Sequence, residues 1–105
     1  MIAILNSSII TDWGVFLYKP ISEEEIQNLI TEEGFESFIG HQATAEIISK
    51  LLDINCQANR VSYQQKIGNK AVIFKLKGRP PEGKILSRQE IEEIGYNWGL
   101  LTRIA

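Results

Sequence analysis

The chain has 105 residues, 44 % of them hydrophobic and 23 % charged, with a formal net charge of −2. That composition supports a single domain spanning residues 1–105 with a core of its own, and it excludes a disordered chain. The acidic balance argues against a general nucleic-acid coat and against duplex DNA as a partner, while leaving room for one small anion in a local positive pocket.

Cys56 is the only cysteine, so no internal disulfide is expected and a reducing compartment fits. Met1–Leu5 is apolar but short and lacks a basic flank, so it does not read as a signal peptide. No stretch approaches the ~20 apolar residues of a membrane span. The expectation is a soluble, cytoplasmic protein.

In chain order, Ile2–Leu5 reads as a buried strand closed by Asn6-Ser7-Ser8, residues suited to turns. Gly14–Tyr18 forms a second β-rich run, ended by Lys19-Pro20. Ser22 followed three residues later by Glu25 predicts a capping box and a helix with Ile26, Leu29 and Ile30 on one face. The Glu23–Glu25 run reads as a first helical turn answering the helix dipole, not as a metal cluster. Gly34 ends this helix. Phe35–Ile39 is a third predicted strand. After Gly40 a second helix opens, with Ala43, Ile47, Ile48, Leu51 and Leu52 on one stripe. Asp53–Asn59 is a polar loop in which Cys56 is a small semi-buried side chain with no base beside it.

Val61–Lys66 and Ala71–Lys77 read as two strands of a hairpin turning at Ile67–Lys70, with Gly68-Asn69 at its centre. Val72, Phe74 and Leu76 should face the core. Residues 78–84 form a loop stiffened by Pro80 and Pro81. Ser87 and Glu90 make a second capping box, opening a short helix with Ile91 and Ile94 inward and Gly95 as its stop. Asn97–Ile104, with Trp98, Leu100 and Leu101, closes the domain. The expected fold class is α/β (α+β), a mixed β-sheet of about five strands flanked by helices.

Few residue types here support catalysis. The chain holds one histidine, one cysteine and two aspartates, with no ligand pair at metal spacing. No glycine-rich phosphate loop is present. His41, at the strand-to-helix junction Phe38–Ala45, lies where backbone amides and a positive helix end can meet an anion; it also reads as an ordinary surface residue. One chemistry needs little more than this. RNA carries its own nucleophile, the 2′-hydroxyl, and its cleavage asks for in-line positioning, charge neutralisation and one acid–base group. Arg79 and Glu82, three apart on the stiff loop, could supply a cation and a carboxylate. The same pair reads equally as a solvated arginine and glutamate in a turn.

Three segments taken together carry a family resemblance: Ile39-Gly40-His41-Gln42-Ala43-Thr44-Ala45, then Asn59-Arg60-Val61, then Arg79-Pro80-Pro81-Glu82-Gly83-Lys84-Ile85-Leu86-Ser87. The combination closely resembles the viral ring nucleases, type III anti-CRISPR proteins of archaeal viruses, bacteriophages and mobile elements. The likeness runs from Leu5-Asn6-Ser7 to Gly99-Leu100-Leu101-Thr102. It implies a homodimer holding cyclic tetra-adenylate across its two-fold axis. It also implies cleavage, without metal or other cofactor, to linear di-adenylate ending in a 2′,3′-cyclic phosphate, which switches off type III CRISPR signalling. By resemblance, His41 is the general acid, Glu82 the assisting carboxylate and Arg79 a loop arginine that closes over the ligand. Asn6, Ser7, Gly40 and Arg60 match positions at or beside the binding pocket. Pro80 departs from the family, whose members often carry an aliphatic residue there. Two alternatives stand beside this reading: a non-catalytic module that sequesters or senses a cyclic oligoadenylate, and a small nucleic-acid- or protein-binding regulator using Trp13, Trp98 or Phe16.

Overall fold

A computed structural model describes residues 1–79 and 85–105. The chain runs β1 (Ile2–Leu5), β2 (Phe16–Pro20), α1 (Glu23–Glu33), β3 (Phe35–Ser37), α2 (Gln42–Leu52), β4 (Lys70–Leu76), α3 (Arg88–Ile94) and β5 (Tyr96–Arg103). The strands form one sheet in the order β2-β5-β4-β1-β3. β1 runs parallel to β3 and to β4, whereas β5 is antiparallel to β4 and to β2. The expected mixed five-stranded sheet with helices is therefore the fold.

The sheet is covered on both faces at its centre. On the helix side, Ile2, Ile4, Val72, Phe74, Trp98 and Leu100 meet Ile26 of α1, Ile48 and Leu52 of α2, and Ile91 of α3. Each such side chain contributes about 1.5–3 kcal/mol by leaving water. On the other side, Ala3, Leu5, Ala71, Ile73 and Leu101 pack with Phe16, Phe38 and Tyr63. Double coverage explains why Ile2–Leu5 and Ala71–Phe74 are apolar without alternation.

Both predicted capping boxes form, at Ser22/Glu25 and at Ser87/Glu90. Two expectations fail. The Val61–Lys66 strand does not exist, and no hairpin joins it to β4. The turn is there, with the Asn69 amide donating to the Lys66 carbonyl at 3.0 Å and Gly68 at a φ of 87°. However, β1 and β5 already occupy both edges of β4, so no edge is left for residues 61–66. That segment instead buries Gln65, whose Nε2 donates to the carbonyls of Asn69 (2.8 Å) and Leu101 (2.9 Å). Second, Ala43 is exposed rather than part of the α2 stripe. It lies one turn ahead of Ile47, in the first turn of α2, and Ala45 takes the buried place instead.

Candidate functional site

Asn6 and Ser7 follow the carboxyl end of β1, Gly40 and His41 that of β3, and Arg79 that of β4. These are the three mutually parallel strands, and the crevice beyond the carboxyl ends of parallel strands is where α/β sheets bind ligands. The register puts Ile4 opposite Ser37 and Leu5 opposite Ile73, so Asn6 is level with the β3–α2 connector. β4 runs three residues beyond Ile73 before reaching Lys77, which sets Arg79 further out along the same end.

His41 is the N-cap of α2, with extended backbone angles (φ −127°, ψ 128°) and no side-chain cap bond. The first helical bond of α2 runs from the Ala45 amide to the His41 carbonyl (3.1 Å), so the amides of Gln42, Ala43 and Thr44 have no intrahelical acceptor. No acidic residue stands in this first turn. The contrast with the other helices is chemical. α1 opens with a complete capping box and Glu23, Glu24 and Glu25, and α3 with a capping box that includes Glu90. Their positive ends are already answered, while that of α2 is open to an anion.

Arg60 completes this corner. Its Nε donates to the Gly40 carbonyl at 2.7 Å, and its two terminal nitrogens make no hydrogen bond to the described residues. The fixed guanidinium thus presents a free fork beside the helix end, suited to a phosphate. Among the described site residues, only Gly40 and Arg60 are joined by a hydrogen bond. Asn6, Ser7, His41 and Arg79 are all exposed and make no hydrogen bond with one another. Glu82 lies outside the described residues. Gly40 packs its α-carbon against the Arg60 side chain, where an added Cβ would sit 3.9 Å from Cγ and Nε, an ordinary contact.

Elsewhere, a cleft of about 370 Å³ on the sheet face opposite the helices is lined by Met1, Ala3, Glu36, Phe38, Tyr63, Gln64 and Asn69, among others. The Tyr63 hydroxyl is buried with no hydrogen-bond partner among the described residues, and burial pushes its pKa up. Cys56 is buried as well, and desolvation raises its thiol against a smaller opposing effect of the Ser37 hydroxyl. Among the described residues no three His, Cys, Asp or Glu side chains gather as a metal site. No helix among them is long and apolar enough to cross a membrane.

A five-stranded mixed sheet that delivers an open helix end and an arginine fork to the carboxyl ends of its parallel strands defines a small α/β protein with one corner chemically suited to an anion. The sequence profile of the STIV B116-like family matches residues 2–98, and the chain belongs to that family. It is 34 % identical over 105 residues to the uncharacterized protein YddF of Bacillus subtilis (strain 168), covering 98 % of this chain and 97 % of that one. It is 36 % identical over 80 residues to uncharacterized protein 26 of a Sulfolobus islandicus filamentous virus, covering 75 % of this chain and 68 % of the other. Among solved structures, B116 of Sulfolobus turreted icosahedral virus shares the fold at a TM-score of 0.85 and 24 % identity, covering 97 % of this chain and 98 % of its own.

Proposed function

We propose that this protein is a metal-independent ring nuclease that cleaves cyclic tetra-adenylate to linear di-adenylate with a 2′,3′-cyclic phosphate, ending type III CRISPR signalling. The observation that carries the proposal is the uncapped α2 amino terminus, with His41 at its N-cap and Arg60 locked beside it through the Gly40 carbonyl. A phosphodiester seated there meets three backbone amides and a guanidinium fork, and its leaving oxygen comes within the range of an imidazole. The 2′-oxygen of the adenosine forms the new bond to phosphorus, and its proton goes to a base or to water. The bond from phosphorus to the 5′-oxygen breaks, and His41 gives that oxygen its proton. In this reading Arg79, Asn6 and Ser7 hold the rest of the ring, and Glu82 is the assisting carboxylate.

A ring of four identical nucleotides contains a two-fold axis, and a homodimer supplies the matching one. Two His41 side chains then cut opposite bonds and release equal halves. One histidine per chain is sufficient, with binding and orientation supplying much of the acceleration.

The test is incubation of the protein with cyclic tetra-adenylate in EDTA, with products read by mass spectrometry. The wild type should yield the cyclic-phosphate di-adenylate. His41→Ala should lose about a hundredfold to ten-thousandfold in kcat while still binding the ring. Cleavage by the variant at the wild-type rate would remove His41 from the mechanism. Intact ligand retained by both proteins would make the domain a sequestering module. No binding at all would overturn the substrate.

A further inference from the structure

Residues 58–60 grip the connector between β3 and α2 at four points. The Asn59 amide donates to the Ile39 carbonyl at 2.8 Å, and its side-chain Nδ2 donates to the Ser37 carbonyl at 2.9 Å. Ala58 donates its amide to Gln42 Oε1 at 3.1 Å, and Arg60 donates Nε to the Gly40 carbonyl at 2.7 Å. β3 is an edge strand whose only sheet partner among the described residues is β1. Ser37 and Ile39 stand two residues apart, so their carbonyls face the same side, the outer edge of the strand. Asn59 fills both places, its side-chain amide substituting for the backbone of an absent sixth strand.

The grip falls on both sides of His41. From Phe38 to His41 the chain has left the strand and not yet entered the helix, and the Phe38 amide, bonded to the Ile4 carbonyl (2.9 Å), is its last rung onto the sheet. The His41 side chain is exposed and makes no hydrogen bond to the described residues. The reach of its imidazole therefore depends on the backbone that carries it, which residues 58–60 hold together with the Ile4 carbonyl and with the Ser37 hydroxyl that accepts from the Ile39 amide at 3.3 Å.

We propose that Asn59 is a positioning residue, aiming His41 and Arg60 at a common phosphate by fixing the connector between them. This rests on the ring-nuclease reading for its kinetic consequence, though not for its structural one. Asn59→Ala retains the backbone bond to Ile39 and removes only the bond to Ser37. Asn59→Asp retains the shape but sets a carboxylate oxygen against the Ser37 carbonyl. Both variants should lose about tenfold to a hundredfold in kcat, the scale expected of a small misplacement of reacting groups. KM should stay within about threefold, since the groups that bind the ring remain. Gln57→Ala, in the same loop but with a side chain that bonds only Asn55 among the described residues, should leave kcat unchanged. Gln42→Ala, which loosens the grip from its exposed side, should lose less than Asn59→Ala in the same direction.

A second readout is independent of turnover. His41 is the only histidine, so its imidazole gives one set of proton–carbon correlations in an NMR spectrum. Those signals should move in Asn59→Ala and Asn59→Asp and stay in place in Gln57→Ala. Superposable His41 signals in the Asn59 variants would overturn the proposal, as would unchanged kcat in an otherwise active protein. A lower melting temperature with both His41 signals and kcat unchanged would likewise overturn it, leaving Asn59 a purely structural residue. Should the wild type leave cyclic tetra-adenylate uncut, the ring-nuclease reading fails and the NMR comparison alone decides whether Asn59 orients His41.

Discussion

Glu23 Oε1 lies 3.0 Å from Arg88 Nη2, joining the first residue of α1 to the first residue of α3 across 65 positions of sequence. The other oxygen of the same carboxylate accepts from the Tyr96 hydroxyl and from Trp98 Nε1, each at 3.0 Å. Arg88 also reaches Glu92 and the Leu51 carbonyl near the end of α2. One carboxylate thus ties two helices to the last strand. Glu23→Ala should cost about 1–3 kcal/mol, because it strips the indole of the buried Trp98 of its acceptor. Arg88→Ala should cost about 1 kcal/mol or less, its side chain being half exposed and its charge screened. Urea unfolding of the two variants checks the ranking; equal losses would place the energy in the ion pair rather than in the buried acceptor.

The pKa of Tyr96 is raised first by burial, then by its bond to the Glu23 carboxylate. A group whose folded pKa is raised lends stability below its unfolded value and withdraws it as pH climbs through the folded one. The contribution of Tyr96 is therefore present at neutral pH and fades above about pH 10. Chemical unfolding between pH 8 and 11 should show the wild type losing stability at the alkaline end. Tyr96→Phe should flatten that fall while being less stable at pH 8.

Burial raises the Cys56 thiol, so its thiolate is scarce and shielded at neutral pH. Iodoacetamide at pH 7.5 should leave the folded protein unmodified over hours and label it within minutes in urea, read as a mass increase. Fast labelling without denaturant would mean that the 53–59 loop opens readily.

Tyr18 lies across Gly99, the residue at the centre of β5 where a Cβ would collide with the tyrosine ring and its hydroxyl. Gly99→Ala should destabilise by about 1 kcal/mol, because the half-exposed Tyr18 ring must swing off the strand to make room. In a Tyr18→Ala background the same change should cost much less. A double-mutant cycle in denaturant measures the difference, and additive losses would show that the ring is not the obstacle.

Several features could be read from the chain because they depend on near neighbours. Ser22/Glu25 and Ser87/Glu90 announce their helices by chemistry within three residues. Ile2–Leu5 announces a doubly covered strand by its lack of polar alternation. Val61–Lys66 alternates like a strand and is followed by a good turn, yet it finds no strand partner, since β4 is satisfied on both edges by strands remote in sequence. Edge availability is a property of the finished sheet and leaves no local mark. The same limit applies to the site. His41 and Arg60 stand in recognisable motifs, but the bond from Arg60 Nε to Gly40 links irregular segments 20 residues apart. Glu23 is one of three first-turn carboxylates, and nothing in the run Glu23–Glu25 marks it as the one that Trp98 and Tyr96 claim.

β5 sits inside the sheet, and among the described residues β2 has no strand partner other than β5. Phe16 pairs with Arg103 and Pro20 with Gly99, so β2 waits for its partner some 80 residues later. On the ribosome, residues 16–20 emerge long before residues 99–103 and meet no template until then. Such distant closure makes folding slow for a chain of this size and leaves β2, with Leu17 and Tyr18 half uncovered even in the finished fold, open to other strands in the interval. Nascent chains halted before Tyr96 should be bound by chaperones, and release should follow synthesis of the final strand.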